Sequence, residues 1–257
     1  MRKLLGMGAA LALATAANAS MILSSNATVI DIFDGMITTG STPLTATVGT
    51  HNLLAGTDGW EGTKTGGSGS VLNLVADAGG GNSGALYSYG SSGSSDRALG
   101  SIASGSTIPA FGLEIVNNTG VAISSLAIEF DREQWRSSTS TTNVIPFASA
   151  LSGGSATSTN YLTDASLVAN TAFDLVGEPF VTTNGALDGN VHSVHISGTL
   201  TVSIPNGSSV YIRWTDTNDI GNDAGLAVDN FAVTPTLVPE PASLALLALG
   251  GLFFRRR

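Results

Sequence analysis

Apolar residues recur at every second position along short runs of this chain, and glycine, serine and asparagine separate the runs. Phe111, Leu113 and Ile115 alternate with small or polar residues, as do Leu126, Ile128 and Phe130, and Val210, Ile212 and Trp214. Successive side chains of a strand point to opposite faces, so each run reads as a strand with one buried face. Residues 71–76, 194–204 and 226–233 read likewise, and the turns fall at 66–70, 78–84, 91–95, 137–143 and 205–209. No ten-residue stretch between them carries a 3.6-residue period. The pattern predicts an all-β fold, an antiparallel jelly-roll-like β-sandwich occupying residues 20–234 as one domain.

The two ends are written differently. Arg2 and Lys3 precede an apolar run over residues 4–16, and Ala17-Asn18-Ala19 offers a small-x-small cleavage site before Ser20. This is the layout of a secretory signal peptide over residues 1–19, a short helix cut between Ala19 and Ser20. At the other end, a spacer from residue 235 leads to Pro239, Glu240 and Pro241. Thirteen uncharged, mostly apolar residues follow (242–254), and then Arg255, Arg256 and Arg257. Pro241 suits the first turn of a helix, where its missing N–H has no partner to lose. Thirteen helical residues span about 20 Å, short of the ~30 Å hydrocarbon core of a bilayer. Snorkelling arginines and local thinning cover part of that gap. The arginine triplet stays on the cytoplasmic side, which puts the preceding domain outside.

Pro239-Glu240-Pro241, the apolar run and the basic triplet resemble, in that order, the PEP-CTERM sorting signal of Gram-negative, biofilm-forming bacteria. The resemblance covers residues 235–257 with the spacer. It implies recognition by an exosortase, a membrane-embedded cysteine transpeptidase. The precursor would be held in the inner membrane by its C-terminal transmembrane helix, the tail removed, and the product exported to the cell surface or extracellular matrix. A second resemblance spans residues 85–234. Arg97-Ala98-Leu99-Gly100, Phe111-Gly112, Asn117 to Gly120, Glu133-Gln134-Trp135-Arg136, Arg213 to Asp216 and Gly225 to Asp229 are similar to a module of secreted bacterial proteins. That module implies a jelly-roll-like β-sandwich and carries no established catalytic residues.

Charge narrows the partners. Five of the ten bases and one of the nineteen acids lie outside residues 20–237, which leaves the core at a net −13. A surface of that sign repels phosphate backbones, so nucleic acid is not an expected partner. With no cysteine in the chain, disulfide scaffolds, thiol nucleophiles and thiolate metal sites are excluded.

The acidic turn after Trp214 collects hard oxygen ligands. Asp216, Asn218, Asp219 and Asp223, with Asp229 on the next strand, are of the type calcium takes. The spacing is not that of an EF-hand, since Ala227 stands where the twelfth-position glutamate belongs. A solvated turn in which Asp and Asn bond their own backbone is the other reading. Asp229 falls on the same strand face as Ala227, Phe231 and Val233 and so needs a cation: Arg213, Arg136 or a bound metal.

Glu133 and Trp135 share a face of an alternating strand, with Arg132 and Arg136 opposite. Trp135 is either a stacking platform for sugar or a core residue beside an ion pair. Catalysis has little to stand on. His192 and His195 lie three apart on a strand and face opposite ways, and no Gly-x-Ser-x-Gly elbow occurs. The glycines at 79–81 lack the Gly-Lys-Ser/Thr ending of a phosphate loop. Asp131 and Glu133 could serve a polysaccharide hydrolase only if they flank a cleft. The expected function is therefore a non-enzymatic, sorted matrix or surface protein, structural or associated with exopolysaccharide. A hydrolase and a purely architectural domain with no small ligand are the alternatives.

Overall fold

The computed structural model describes residues 20–44, 51–69, 71–138, 142–179 and 184–239. The signal segment up to Ala19, Glu240, Pro241, the apolar run at 242–254 and Arg255 to Arg257 lie outside the described residues. Among the described residues, no helix is long and apolar enough to cross a membrane.

Among the described residues the chain is built from strands with one 3-10 turn, at Thr171–Phe173. Its first part supplies β1 (Met21–Leu23), β2 (Val29–Asp31), β3 (Ser41–Leu44), β4 (Asn52–Leu53), β5 (Trp60–Gly66) and β6 (Leu72–Asp77). Next come β7 (Ala85–Tyr89), β8 (Ala98–Ile102), β9 (Ile108–Asn117), β10 (Ile123–Ser137), β11 (Val144–Ile145) and β12 (Phe147–Leu151). The last part contributes β13 (Val168–Ala169), β14 (Leu175–Val176), β15 (Gly185–Ala186), β16 (Ser193–Ile204), β17 (Ser209–Thr215) and β18 (Gly225–Leu237).

Two large sheets result. The first runs β13-β12-β17-β9-β5-β4, with β1 added beside β9. The second runs β15-β10-β18-β8-β7-β6-β3, with β16 added to β10 and β2 to β18. The sandwich expected from the alternation is thus present, built mostly from antiparallel ladders. Two pairs depart from that expectation, because β1 lies parallel to β9 and β6 parallel to β7. The second departure depends on the glycine turn between β6 and β7. Gly79 sits at φ +89°, and a Cβ there would collide with the Trp135 carbonyl oxygen. Only glycine lets the chain fold back this closely over β10.

Aromatic rings join the sheets. Trp214 of β17 stacks on Phe111 and Trp60 at 5.7 and 5.9 Å, all three from the first sheet. It meets Phe130 and Phe231 of the second sheet edge-on at 5.5 and 6.3 Å. Its indole N–H donates to the Phe173 carbonyl at 2.9 Å, so burial leaves no polar atom unpaired there. Leu113, Ile115, Leu126, Ile128, Val210 and Ile212 fill the remaining interior, and each comes from an alternating run.

Candidate functional site

The outer face of the second sheet carries most of the unusual chemistry. Tyr87 and Tyr89, two apart on β7, stack at 4.8 Å, and Tyr89 stacks on Trp135 at 6.0 Å with parallel planes. Gly189 lies so close to the Trp135 ring that a Cβ would clash with it. Trp135 is consequently only 2% exposed, and Trp60 and Trp214 are fully buried. Of the two readings of Trp135, packing is the one realised, and none of the three tryptophans is a platform for sugar.

The Trp135 indole N–H donates to Glu133 at 2.8 Å, so the pair does share a face. Burial pushes the Glu133 carboxyl up to about 7, against the lowering effect of that bond. Beyond Glu133 the pleat breaks. A register shift between Gln134 and Arg136 frees Arg136 to donate to the Gly79 and Gly80 carbonyls at 3.2 and 3.1 Å. Arg136 therefore stands beside the tyrosine stack rather than on the opposite face.

Asp229 requires a correction of the same kind. Ala227 packs with Trp135 on the outer face, whereas Phe231 and Val233 enter the main core. The ladder between β10 and β18 shifts between Glu129 and Asp131, opposite Asn230, which lies in the left-handed region at φ +50°. One bulged residue resets the alternation, so Asp229 does not share a face with Phe231 and Val233. Nor does either expected arginine reach it. Arg213 donates to the Tyr161 and Asp164 carbonyls, at 3.1 and 3.0 Å, on the other sheet. Asn230 compensates Asp229 instead. Its backbone N–H donates to one carboxylate oxygen at 2.7 Å, and its amide bridges Asp229 at 3.1 Å and Asp131 at 2.9 Å. Burial still raises Asp229 to about 8, with Glu133, Asp96 and Asp131 adding to the rise.

The acidic turn forms a separate group. Asp216 is buried and accepts from the Ser101 hydroxyl at 2.7 Å, and burial lifts its carboxyl to about 8. Asp223 rises to about 6, again chiefly by burial. One Asp223 oxygen takes the Asp219 N–H at 3.2 Å, and the other is buried without a hydrogen-bond partner. Asn143 ties the turn down, accepting from the Ala224 N–H at 2.7 Å and donating to the Asp219 carboxylate. Asn218 is exposed. The five residues expected to ligate calcium are thus divided, with Asp229 on the Glu133 side and Asp216, Asp219 and Asp223 in the turn. Among the described residues no three His, Cys, Asp or Glu side chains converge as a metal would require.

The three histidines go to three different carboxylates: His51 to Glu61 at 3.3 Å, His192 to Glu178 at 2.9 Å and His195 to Asp131 at 2.9 Å. His192 lies in the bend before β16 and not on the strand that carries His195, which corrects the expected shared strand, and the two histidines go to different carboxylates.

A polar pocket of about 310 Å³ opens where β6 and β7 end and β3 and β8 begin. Thr38, Thr39, Asp77, Ser92 and Arg97 line it, with backbone at Gly40 and Gly90. It was not legible in the sequence, because its walls come from three separate connections. The one signal available was Arg97, a charge placed directly before a fully buried strand.

Comparison with known proteins bears on the C-terminus. Residues 237–257 match the PEP-CTERM protein-sorting motif. This chain carries a PEP-CTERM sorting signal. The motif begins at Leu237, the last residue of β18, so the signal follows the sandwich without an intervening domain. It implies processing by an exosortase and marks a secreted or cell-surface protein processed at the membrane. No curated protein matches the sequence. Among solved structures, the K3 cleaved adhesin domain of Lys-gingipain from Porphyromonas gingivalis W83 is 14% identical, with a TM-score of 0.37. That alignment covers 68% of this chain and 91% of the adhesin domain. A Podospora anserina GH26-CBM35 β-(1,4)-mannanase is also 14% identical, with a TM-score of 0.25 over 84% of this chain and 29% of the mannanase. Likenesses of that size carry no functional argument.

Proposed function

We propose that this chain is a non-catalytic structural protein of the extracellular matrix or cell surface of a Gram-negative bacterium, associated with exopolysaccharide. The observation that carries the reading is the PEP-CTERM motif joined directly to an acidic β-sandwich. Its partners are the secretion machinery, which reads residues 1–19, and the exosortase, which reads Pro239 to Arg257 while the apolar run anchors the precursor in the inner membrane. Against a hydrolase stands the state of the paired acids. Glu133 is buried against Trp135 and Asp131 is engaged by His195 and Asn230, so the two do not flank an open cleft.

Incubating the protein with the host's exopolysaccharide separates the readings. Retention without release of shorter sugars is expected. Accumulating reducing ends would establish a hydrolase, and neither retention nor turnover would leave an architectural domain.

A further inference from the structure

We propose that the pocket around Arg97 binds one neutral sugar unit of a polysaccharide through a pair of adjacent hydroxyls, an inference that rests on the matrix-associated reading above. Arg97 is 1% exposed, yet no carboxylate lies within ion-pair distance of it among the described residues. Its guanidinium spends one N–H on the Ser88 hydroxyl, at 3.0 Å, and another on the Ser88 carbonyl. A guanidinium has five N–H donors, so donor capacity remains beyond the two Ser88 bonds, and Arg97 lines the cavity. Burial lowers the Arg97 pKa, while Asp96 and Asp77 oppose the shift.

The walls are fixed independently of any ligand. Ala76 N–H donates to the Gly40 carbonyl at 3.0 Å, Gly90 N–H to the Asp77 carbonyl at 3.1 Å, and the Ser88 hydroxyl to the Ile37 carbonyl at 2.7 Å. Gly90 has no side chain because the guanidinium fills the place its Cβ would take. The site is therefore held in place by its own backbone, and Arg97, Asp77, Thr38, Thr39 and Ser92 line it. Both Asp77 carboxylate oxygens accept the Gly81 N–H, at 3.1 and 3.2 Å, and each keeps a further lone pair for a ligand hydroxyl. A vicinal diol matches this set, one hydroxyl accepting from Arg97 and its neighbour donating to Asp77. An acidic sugar does not, because Asp77, Asp96 and a core of net charge −13 repel it. The volume is at the small end of the ~300–1,000 Å³ typical of ligand sites, which suits one ring and not a long chain.

Affinity electrophoresis of the full chain in mild detergent, through gels cast with dextran, mannan, xylan or alginate, tests this. At least one neutral polymer should retard the protein and alginate should not. Ser92→Trp, at an exposed position on the rim, should cut that retardation at least tenfold with an unchanged melting temperature. Retardation that survives Ser92→Trp would overturn the pocket and leave polysaccharide association standing. Passage through every neutral gel unretarded, or retardation by alginate alone, would overturn the pocket as well. Loss of export in cells, by contrast, would count against the sorted-matrix reading and not against the pocket.

Discussion

Among the described residues, five buried carboxyls have no cation within ion-pair distance: Asp31, Glu133, Asp216, Asp223 and Asp229. Burial raises the pKa of Asp31 and lifts the other four to about 7, 8, 6 and 8. A carboxyl raised in the folded state favours folding below its unfolded pKa of about 4, and that contribution is lost as pH climbs through the folded value. The melting temperature should therefore fall between pH 5 and pH 8. Differential scanning calorimetry across that range checks it, and Asp229→Asn should flatten the fall. Calcium gives the second arm of the measurement. If protons alone neutralise the turn, the fall persists in 1 mM calcium. Shrinkage of the fall by calcium, down to the share carried by Glu133 and Asp229, would instead make Asp216, Asp219 and Asp223 a cation site. The acidity of this turn was plain in the sequence, whereas its separation from Asp229 was not, because a bulge is set by one residue's backbone.

At the level of strands, legibility followed the chemistry of the second face. The first half of β10 leaves that face in solvent, and β9 and β17 fill theirs with residues such as Gly112, Glu114 and Arg213, so alternation could be read directly from residues 111–115, 126–130 and 210–214. Strands β7 and β8 are buried on both faces, since the Tyr87–Tyr89–Trp135 layer covers their outer side, and so they show no alternation. The end of β10 and the middle of β18 alternate in sequence but not in space, because each carries a register shift. Asn230 is the key to the second. A β-branched residue at its left-handed φ costs about 1–3 kcal/mol, so Asn230→Val should destabilise by roughly that amount in urea titration, while Asn230→Gly should cost less. Gly79→Ala meets both a left-handed φ and the Trp135 carbonyl, and should cost at least as much. Trp214→Ala, which empties the middle of the aromatic bridge, should cost about 3–5 kcal/mol.

For the molecule as a whole, the sandwich and the sorting signal are separate devices in one chain. The first needs a two-residue period and an aromatic interior, the second only a short motif that follows the last strand. Both could be read from sequence because each rests on local patterning. The Arg97 pocket could not, since residues from 38 to 97 meet there only after the second sheet forms. What the sorting signal governs is the protein's route out of the cell, and that route can be observed by following an epitope within the sandwich in cells with and without exosortase. The expected product outside exosortase-proficient cells lacks residues beyond the Pro239 region, and deletion of the enzyme should leave a longer, membrane-held chain. Uncut protein in the cytosol, or identical export in both strains, would contradict it.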